Sequence, residues 1–456
     1  MTNSAVHVVV LAAGKGTRMK SEVPKVLHPV NGVPMISRVL NVAAALEPAS
    51  VVLVLGHKSE RVEQHVGAAP GRAFVLQEPQ LGTGHALAQA LPFLANAQGD
   101  VLLLYGDVPL LTTHTMRALL GRHHESDAAL TVLTAKVERP YGYGRIVRQD
   151  GELVRIVEER DATAAERAID EINAGIYVMA LAPLPGAVAT LAPQNAQGEY
   201  YLTDLVSIYR RRGLRVSTLM LPSAGEIRGV NSRRDLAEVS GIVRNAKIEE
   251  LMAAGVTVID PATTFVESDV QIGADTVLHP NVYLEGRTVI GAACEIQAGT
   301  RLVNATVGDR VTIRNYCIVT DSTVADGAVL GPFAHLRPGS VVEAEAHIGN
   351  FVELKKTTLG RGSKASHLAY LGDAAIGDNV NIGAGTITCN YDGEKKHQTV
   401  IGDGAFIGSD SQLIAPVTVG RGAYVAAGSS ITDDVPDGAL AIARGRQVNK
   451  EGWKRK

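Results

Sequence analysis

A six-residue period in the second half of the chain restricts its fold more than any other feature. Aliphatic residues recur at Ile272, Leu278, Leu284, Ile290, Ile296 and Leu302. A five-residue step resets the count to Val307, Ile313 and Val319, and another to Val324, Leu330, Leu336, Val342, Ile348 and Leu354. Further resets give Leu359, Ala365 and Leu371, then Ile376, Ile382 and Thr388. An insertion, Cys389 to Val400, precedes Ile401, Ile407, Leu413, Val419, Val425 and Ile431. An amphipathic helix repeats every ~3.6 residues and a half-buried strand every two, so neither explains the pattern. A parallel β-helix does: each short strand turns one aliphatic side chain inward and ends in a corner that glycine tolerates, as in Ile272-Gly273 and Ile348-Gly349. Three such strands make a triangular coil of about eighteen residues, so the run predicts roughly nine coils. Stacked coils bury a continuous apolar column that no single coil can bury.

The run occupies less than half of 456 residues, which leaves room for one or two further domains at about 150 residues each. A formal net charge of -3 gives no electrostatic case for nucleic acid or a membrane surface. Any anion must be held by local basic groups. The three cysteines, Cys294, Cys317 and Cys389, form no Cys-x-x-Cys, which argues for a reducing compartment and against structural zinc or a disulfide frame. The apolar run Val6 to Ala13 is too short for a membrane span and lacks a basic flank, so a cytoplasmic, soluble protein is expected.

Residues 1 to about 230 alternate strand-like and helix-like segments. His7–Ala13, Val51–Leu55, Val101–Tyr105 and Leu130–Val137 read as strands; Met35–Leu46, Ser59–Val66, Gly84–Leu94 and Thr113–His123 read as helices. Strands apolar throughout predict a parallel sheet covered by helices on both faces, an α/β domain of nucleotide-binding type. From Ser232 to Ala254 the pattern becomes one helix, with Ser232 and Asp235 as a capping pair and Leu236, Val239, Val243, Ala246 and Leu251 on one face. A helix of that length spans about 33 Å, which favours a connector over a helix packed in the first domain.

The first strand runs into Leu11-Ala12-Ala13-Gly14-Lys15-Gly16-Thr17-Arg18-Met19, followed by Pro24-Lys25. Glycines let backbone N–H groups approach a phosphate chain, and Arg18 and Lys25 supply charge. Gly16 stands where a Walker loop needs Ser or Thr, and Met19 where a dinucleotide fingerprint needs glycine. A glycine turn beside two surface cations is the open alternative. The motif resembles the signature of the sugar-1-phosphate nucleotidyltransferases. Gln77 with Leu81-Gly82-Thr83-Gly84 is similar to their base- and substrate-binding loop, and Tyr105-Gly106-Asp107 to their metal-holding motif. The resemblance implies nucleotide and sugar contacts at Leu11, Ala12, Ala13, Gly14, Arg18, Lys25, Gln77, Gly82, Thr83, Tyr105 and Gly106. It implies sugar contacts at Gly144, Glu158 and Asn173, and Mg²⁺ ligation by Asp107 and Asn231. A strand-terminal Asp is also a common helix cap.

In the repeat, charged and aromatic residues gather around Leu336-Arg337-Pro338-Gly339 with Glu353-Leu354-Lys355-Lys356, and around His367-Leu368-Ala369-Tyr370 with Asn381, Ala384 and Asn390-Tyr391-Asp392-Gly393. Cations and hydrogen-bond donors at coil positions near a neutral imidazole suit an anionic substrate that must lose a proton. The repeat resembles the hexapeptide-repeat acyltransferases, which implies a left-handed coil where general crossover rules favour the right hand. With both halves in this order, the chain resembles over nearly its whole length the family of bacterial bifunctional N-acetylglucosamine-1-phosphate uridylyltransferase/glucosamine-1-phosphate N-acetyltransferases, enzymes of cell-wall precursor synthesis.

That resemblance implies an α/β nucleotidyltransferase (Rossmann-like) domain at 1–230, a linker helix at 231–254, and a left-handed parallel β-helix with a C-terminal tail at 255–456. His367 is the expected general base, since an ammonium cannot attack a thioester and an imidazole titrates near ~6.5. Arg337, Lys355, Tyr370 and Asn381 are expected to hold glucosamine-1-phosphate. Ala384, Asn390, Tyr391, Ser409, Ala427 and Arg444 are expected along acetyl-CoA, with register favouring Arg444 over Arg446. UTP and N-acetylglucosamine-1-phosphate are the expected substrates of the first domain. A homotrimer is implied, with no nucleic-acid or membrane partner. Cys389 as an acyl-carrying nucleophile is the rival chemistry. A β-helix that only oligomerises a single-function enzyme, and a nucleotide-sensing scaffold, are the rival functions.

Overall fold

The computed structural model describes residues 4–455, which divide into two compact units between Val243 and Arg244. In the first unit, strand β1 (Val6–Ala12) has no polar face because it has no exposed face: Val8 and Val10 enter one core while Val9 and Leu11 enter the other. Helix α1 (Met35–Ala44) leads to β2 (Ser50–Leu55), α2 (Ser59–Val66) to β3 (Arg72–Leu76), and α3 (Thr83–Ala90) to β4 (Asp100–Tyr105). Helix α4 (Thr113–Glu125) leads to β5 (Leu130–Lys136), then β6 (Arg145–Gln149), β7 (Glu152–Val157), β8 (Glu171–Ala180) and β9 (Val216–Leu221). The sheet order is β9-β5-β8-β4-β1-β2-β3, with the β6–β7 hairpin attached to β8.

Two expectations need correction. The sheet is mixed, because β8 runs antiparallel to both β4 and β5. An apolar run reports burial on both faces and carries no information on strand direction. Helix α3 ends at Ala90, and Leu91–Leu94 continues as a 3-10 turn, since Pro92 has no N–H to extend an α-helix.

Helix α5 (Arg233–Ala253) begins at a reciprocal cap: the Asp235 backbone N–H donates to Ser232 Oγ at 3.2 Å, and the Asp235 carboxylate accepts from the N–H groups of Ser232 and Asn231 at 2.8 and 2.9 Å. Its Val239 packs with Val30, Met35 and Val230 in the first unit. Its Ile248 and Leu251 join the column of the second unit. No helix among the described residues is long and apolar enough to cross a membrane.

The second unit is a parallel β-helix of three sheets. One face holds 11 strands from Thr257–Val258 to Leu440–Ala441, the next 10 from Phe265–Val266 to Ser430–Ile431, and the third 9 from Gln271–Ile272 to Val417–Val419. The six-periodic residues from Leu278 to Ile431 are all buried, and all but Thr388, whose Oγ1 bonds the Gly372 backbone, form its apolar core. The helix starts earlier and ends later than the period does: Val258 and Val266 stand two residues too far apart for it, yet both are core. Buried corner hydroxyls supply bonds the turning backbone lacks, as where Thr276 Oγ1 donates to the Gly291 carbonyl at 2.9 Å and accepts from the Cys294 N–H at 3.1 Å.

Candidate active sites

The carboxyl ends of β1 and β4 border two adjoining clefts, the usual place for ligands in an open α/β sheet. The smaller, of about 310 Å³, is lined by Leu11, Ala12, Ala13, Gly14, Lys25, Gln77, Gly82, Thr83, Tyr105 and Asp107, all expected from the sequence. The larger, of about 560 Å³, takes in Arg18, Thr83, Tyr105, Asp107, Gly144, Glu158, Asn173 and Asn231. Gly106 is the exception. A Cβ there would meet Ile36 at 3.0 Å and Ala12 and Val26 at 3.2 Å, so it serves packing behind the clefts.

Local chemistry explains the shape. Gly16 has φ +61, and a Cβ on it would lie 2.8 Å from Cβ of Lys25, so only glycine lets the loop fold onto that lysine. Arg233 Nε donates to the Met19 carbonyl at 3.2 Å, tying the turn that carries Arg18 to helix α5. A register shift between Asn173 and Tyr177 bulges β8 beside the larger cleft. There Gly175, with φ +79, leaves room for the Tyr105 ring, and its N–H donates to Asn173 Oδ1 at 2.9 Å.

Lys25 Nζ donates to Asp107 Oδ2, and to Asn231 Oδ1 at 2.7 Å. Two residues 124 positions apart in sequence (231 − 107) therefore aim oxygens at one cation. That donor set suits a divalent ion completing its shell with phosphate and water oxygens, since Mg²⁺ is commonly bound through one or two protein oxygens plus phosphates. No group of three His, Cys, Asp or Glu side chains forms a metal cage among the described residues. Burial raises the Glu158 carboxyl above its ordinary range, and Asp161, Asp204 and Glu199 push the same way, against a hydrogen bond from Thr203 at 3.1 Å. Thr203, Asp235 and Gln80, whose Nε2 donates to the Ala13 carbonyl at 2.6 Å, are site residues the sequence did not reveal.

On the β-helix the structure sorts the expected residues into two edges of one face. His367 ends strand Lys364–His367 in register with Asn350 of the preceding coil, and its Nδ1 lies 2.6 Å from Asn350 Oδ1. The carboxamide oxygen only accepts, so Nδ1 carries a proton, and in the neutral ring the lone pair is therefore on Nε2. Ala384, Ser409 and Ala427 follow in the coils beyond, linked by Asp410 N–H to Ala384 O at 2.7 Å and Gly428 N–H to Ser409 O at 2.8 Å. Arg444 ends this column, donating to the Ala427 carbonyl at 2.7 Å.

At the other end of strand Tyr370–Gly372 sits the cationic edge. Lys355 is 8 % exposed and donates to Asp373 Oδ2 at 2.8 Å; Asn390 donates to the same oxygen, and Arg337 to Glu353 at 3.0 Å. The insertion folds back through an Asp392 turn, closed by His397 at 2.7 Å and by the N–H groups of Glu394 and Lys395. This brings Lys396 against Lys355, which holds the Lys396 ammonium below the usual lysine range. Lys396 was not read from the sequence, because nothing in a run of Glu394-Lys395-Lys396 marks which lysine returns to the face. Tyr370 lies between the edges, in register with Glu353, whereas Asn381 pairs with Lys364, three residues before His367. Burial raises the Cys389 thiol, which opposes a thiolate nucleophile. Cys294 and Cys317 are buried and free.

Comparison with known proteins gives three family matches: a MobA-like NTP transferase domain at residues 8–201, a GMPPB C-terminal domain at 261–342, and six bacterial transferase hexapeptide repeats at 398–433. The hexapeptide match agrees with a left-handed coil. The chain is 51% identical over 449 residues to "Bifunctional protein GlmU" of Geotalea uraniireducens (strain Rf4), covering 98% of each chain. It is 52% identical to the protein of that name from Brevibacillus brevis (98% of this chain, 96% of the relative) and 49% identical to that from Geobacter sulfurreducens (98% of each).

Proposed function

Because the chain belongs to the family of the bifunctional GlmU proteins, we infer that it is a bifunctional transferase of UDP-N-acetylglucosamine synthesis, serving peptidoglycan and lipopolysaccharide precursors in the cytoplasm. In this reading residues 1–230 carry uridylyl transfer, 231–254 form the linker, and 255–456 carry acetyl transfer. The observation that carries it is that one chain holds both a cation-centred phosphate cleft and a hydrogen-bonded imidazole on a β-helix corner.

In acetyl transfer, glucosamine-1-phosphate is held by its phosphate at Arg337, Lys355 and Lys396, with Tyr370 and Asn381 on the sugar. His367 Nε2 takes a proton from the ammonium, and the freed amine attacks the thioester carbonyl of acetyl-CoA. Ser409 donates to the developing oxyanion; as the C–S bond breaks, the attacking nitrogen gives its surplus proton to the departing sulfur and coenzyme A leaves as the thiol. The donor lies along Ala384, Asn390, Tyr391, Ala427 and Arg444. In uridylyl transfer, the phosphate of N-acetylglucosamine-1-phosphate attacks the α-phosphorus of UTP in line and pyrophosphate leaves. Gly14, Arg18 and Lys25 hold the phosphates, while Gly144, Glu158 and Asn173 hold the sugar, whose hydroxyls can donate to the Glu158 carboxyl oxygens. Asp107 and Asn231 would hold Mg²⁺, whose chemistry is neutralisation of phosphate charge. Lys25 must then release them, freeing its ammonium for the triphosphate.

A homotrimer with acetyl sites between β-helices is part of this proposal. An exposed stack of Tyr316, Phe333 and Phe351, with centroids 5.3 and 5.2 Å apart, runs beside the Asn350–His367 corner and supports it. The test is separability. Asp107→Ala should abolish uridylyl transfer and spare acetyl transfer, and His367→Ala the reverse. Loss of both activities in either folded variant refutes two independent sites.

A further inference from the structure

Gln77 is 5 % exposed, at the wall of the smaller cleft. Its Nε2 donates to the Gly82 carbonyl at 2.9 Å and lies 3.1 Å from His85 Nδ1. A carbonyl oxygen only accepts, so the Gln77 amide nitrogen must be the atom facing Gly82. That nitrogen has two protons, and Gly82 and His85 use both. His85 Nδ1 is then a bare acceptor, and the ring proton sits on Nε2. The Nε2 atom lies 3.0 Å from Gln89 Nε2, an amide nitrogen that also donates to the His85 carbonyl at 3.5 Å; with Nδ1 accepting from Gln77, the Gln89 carboxamide must turn its oxygen to the ring proton and give up that longer bond. His85 itself is absent from the lining of the cleft; it stands beside Tyr200, with ring centroids 6.3 Å apart.

We propose that His85 is a positioning residue that locks the Gln77 carboxamide in one orientation, so that the base site accepts a pyrimidine with an imide N–H and rejects cytosine. The proposal rests on the uridylyl-transfer reading of this cleft. With both amide protons committed, the free hydrogen-bonding atom of Gln77 is Oε1, an acceptor. Uracil presents N3–H, which pairs with it. Cytosine presents a lone pair at N3, so two acceptors meet in a desolvated site. Reversing the carboxamide would rescue cytosine only by turning Oε1 toward two acceptors at once, the Gly82 oxygen and His85 Nδ1. Gly82 alone penalises that reversal once. His85 doubles the penalty from outside the cleft, and Gln89 keeps the His85 ring in the tautomer that does so.

The experiment compares kcat/KM for UTP and CTP, with N-acetylglucosamine-1-phosphate and Mg²⁺, in the wild-type protein and four variants. Acetyl transfer in each reports that the chain is intact. His85→Leu removes the acceptor behind Gln77, and the UTP-over-CTP ratio should fall about tenfold, chiefly through a higher KM for UTP. His85→Asn places a carboxamide oxygen near the Nδ1 position and should keep most of the preference. Gln89→Leu frees the ring tautomer and should give a smaller loss of the same sign. Gln77→Leu should lose the preference outright. Unchanged ratios in both His85→Leu and Gln89→Leu, with the preference lost in Gln77→Leu, overturn the role of His85 alone. An unchanged ratio in Gln77→Leu overturns the base site, and no UTP preference in the wild type overturns the uridylyl reading beneath it.

Discussion

Replacing Asn350 probes the acetyl site without touching any group that meets substrate. The 2.6 Å contact from His367 Nδ1 to Asn350 Oδ1 fixes which nitrogen keeps a lone pair. A neutral hydrogen bond of this kind contributes about 0.5–1.5 kcal/mol, or roughly two- to tenfold in the population of the competent tautomer. His367 is exposed, so water replaces part of the loss and the lower half of that range is expected. Asn350→Leu should therefore lower kcat for acetyl transfer about three- to fivefold, leaving uridylyl transfer unchanged. Asn350→Asp separates orientation from bulk: a carboxylate also accepts from Nδ1–H but favours the imidazolium. Its acetyl transfer should approach wild type at high pH and fail at a higher pH than wild type on acidification. The assay is release of the coenzyme A thiol against pH. Wild-type kcat and pH profile in both variants would refute the tautomer argument.

Asp100 tests stability in the first unit. Burial pushes its carboxyl up, but hydrogen bonds from His123, His124 and Ser4 outweigh that and hold it at about 2. Its folded pKa lies below the unfolded value of ~3.9, so its contribution, at most about 2 kcal/mol, is present above roughly pH 4 and is lost as pH falls through about 2. Asp100→Asn should be less stable at pH 5 and converge on wild type towards pH 2; a urea-midpoint gap constant over that range rules this out. A Cβ on Gly349 would stand 1.8 Å from the Ser366 carbonyl oxygen, so Gly349→Ala must shift the corner bearing Asn350 and His367. Acetyl transfer should fall at least about tenfold with uridylyl transfer intact, and equal losses in both would count against the corner as its cause. Equal co-refolding of His367→Ala and Arg444→Ala chains should restore acetyl sites in about a quarter of pairings if those residues meet across subunits. Activity at the parental level in proven mixed trimers excludes the shared site.

The sequence by itself determined both fold classes, for two reasons. A six-residue aliphatic period has one economical burial, in a coil of three short strands, and the buried ladder from Leu278 to Ile431 follows it residue by residue. Strands apolar throughout can lie only inside a covered sheet, and β1 does. The sequence also carried the chemistry of residues close along the chain, as in the glycine loop before Arg18. It was silent where partners are distant and have no periodic signature. The reversal of β8 leaves no mark on a segment buried on both faces. Asn350 reads as a corner residue until the coil above places His367 against it, and Lys396 as one lysine of a pair until the Asp392 turn folds it back. Gln77, His85 and Gln89 lie within thirteen residues, yet only the fold of the loop into α3 decides which amide face remains free. Backbone burial is written in local composition, whereas hydrogen-bond direction depends on the partner that the chain brings up from elsewhere.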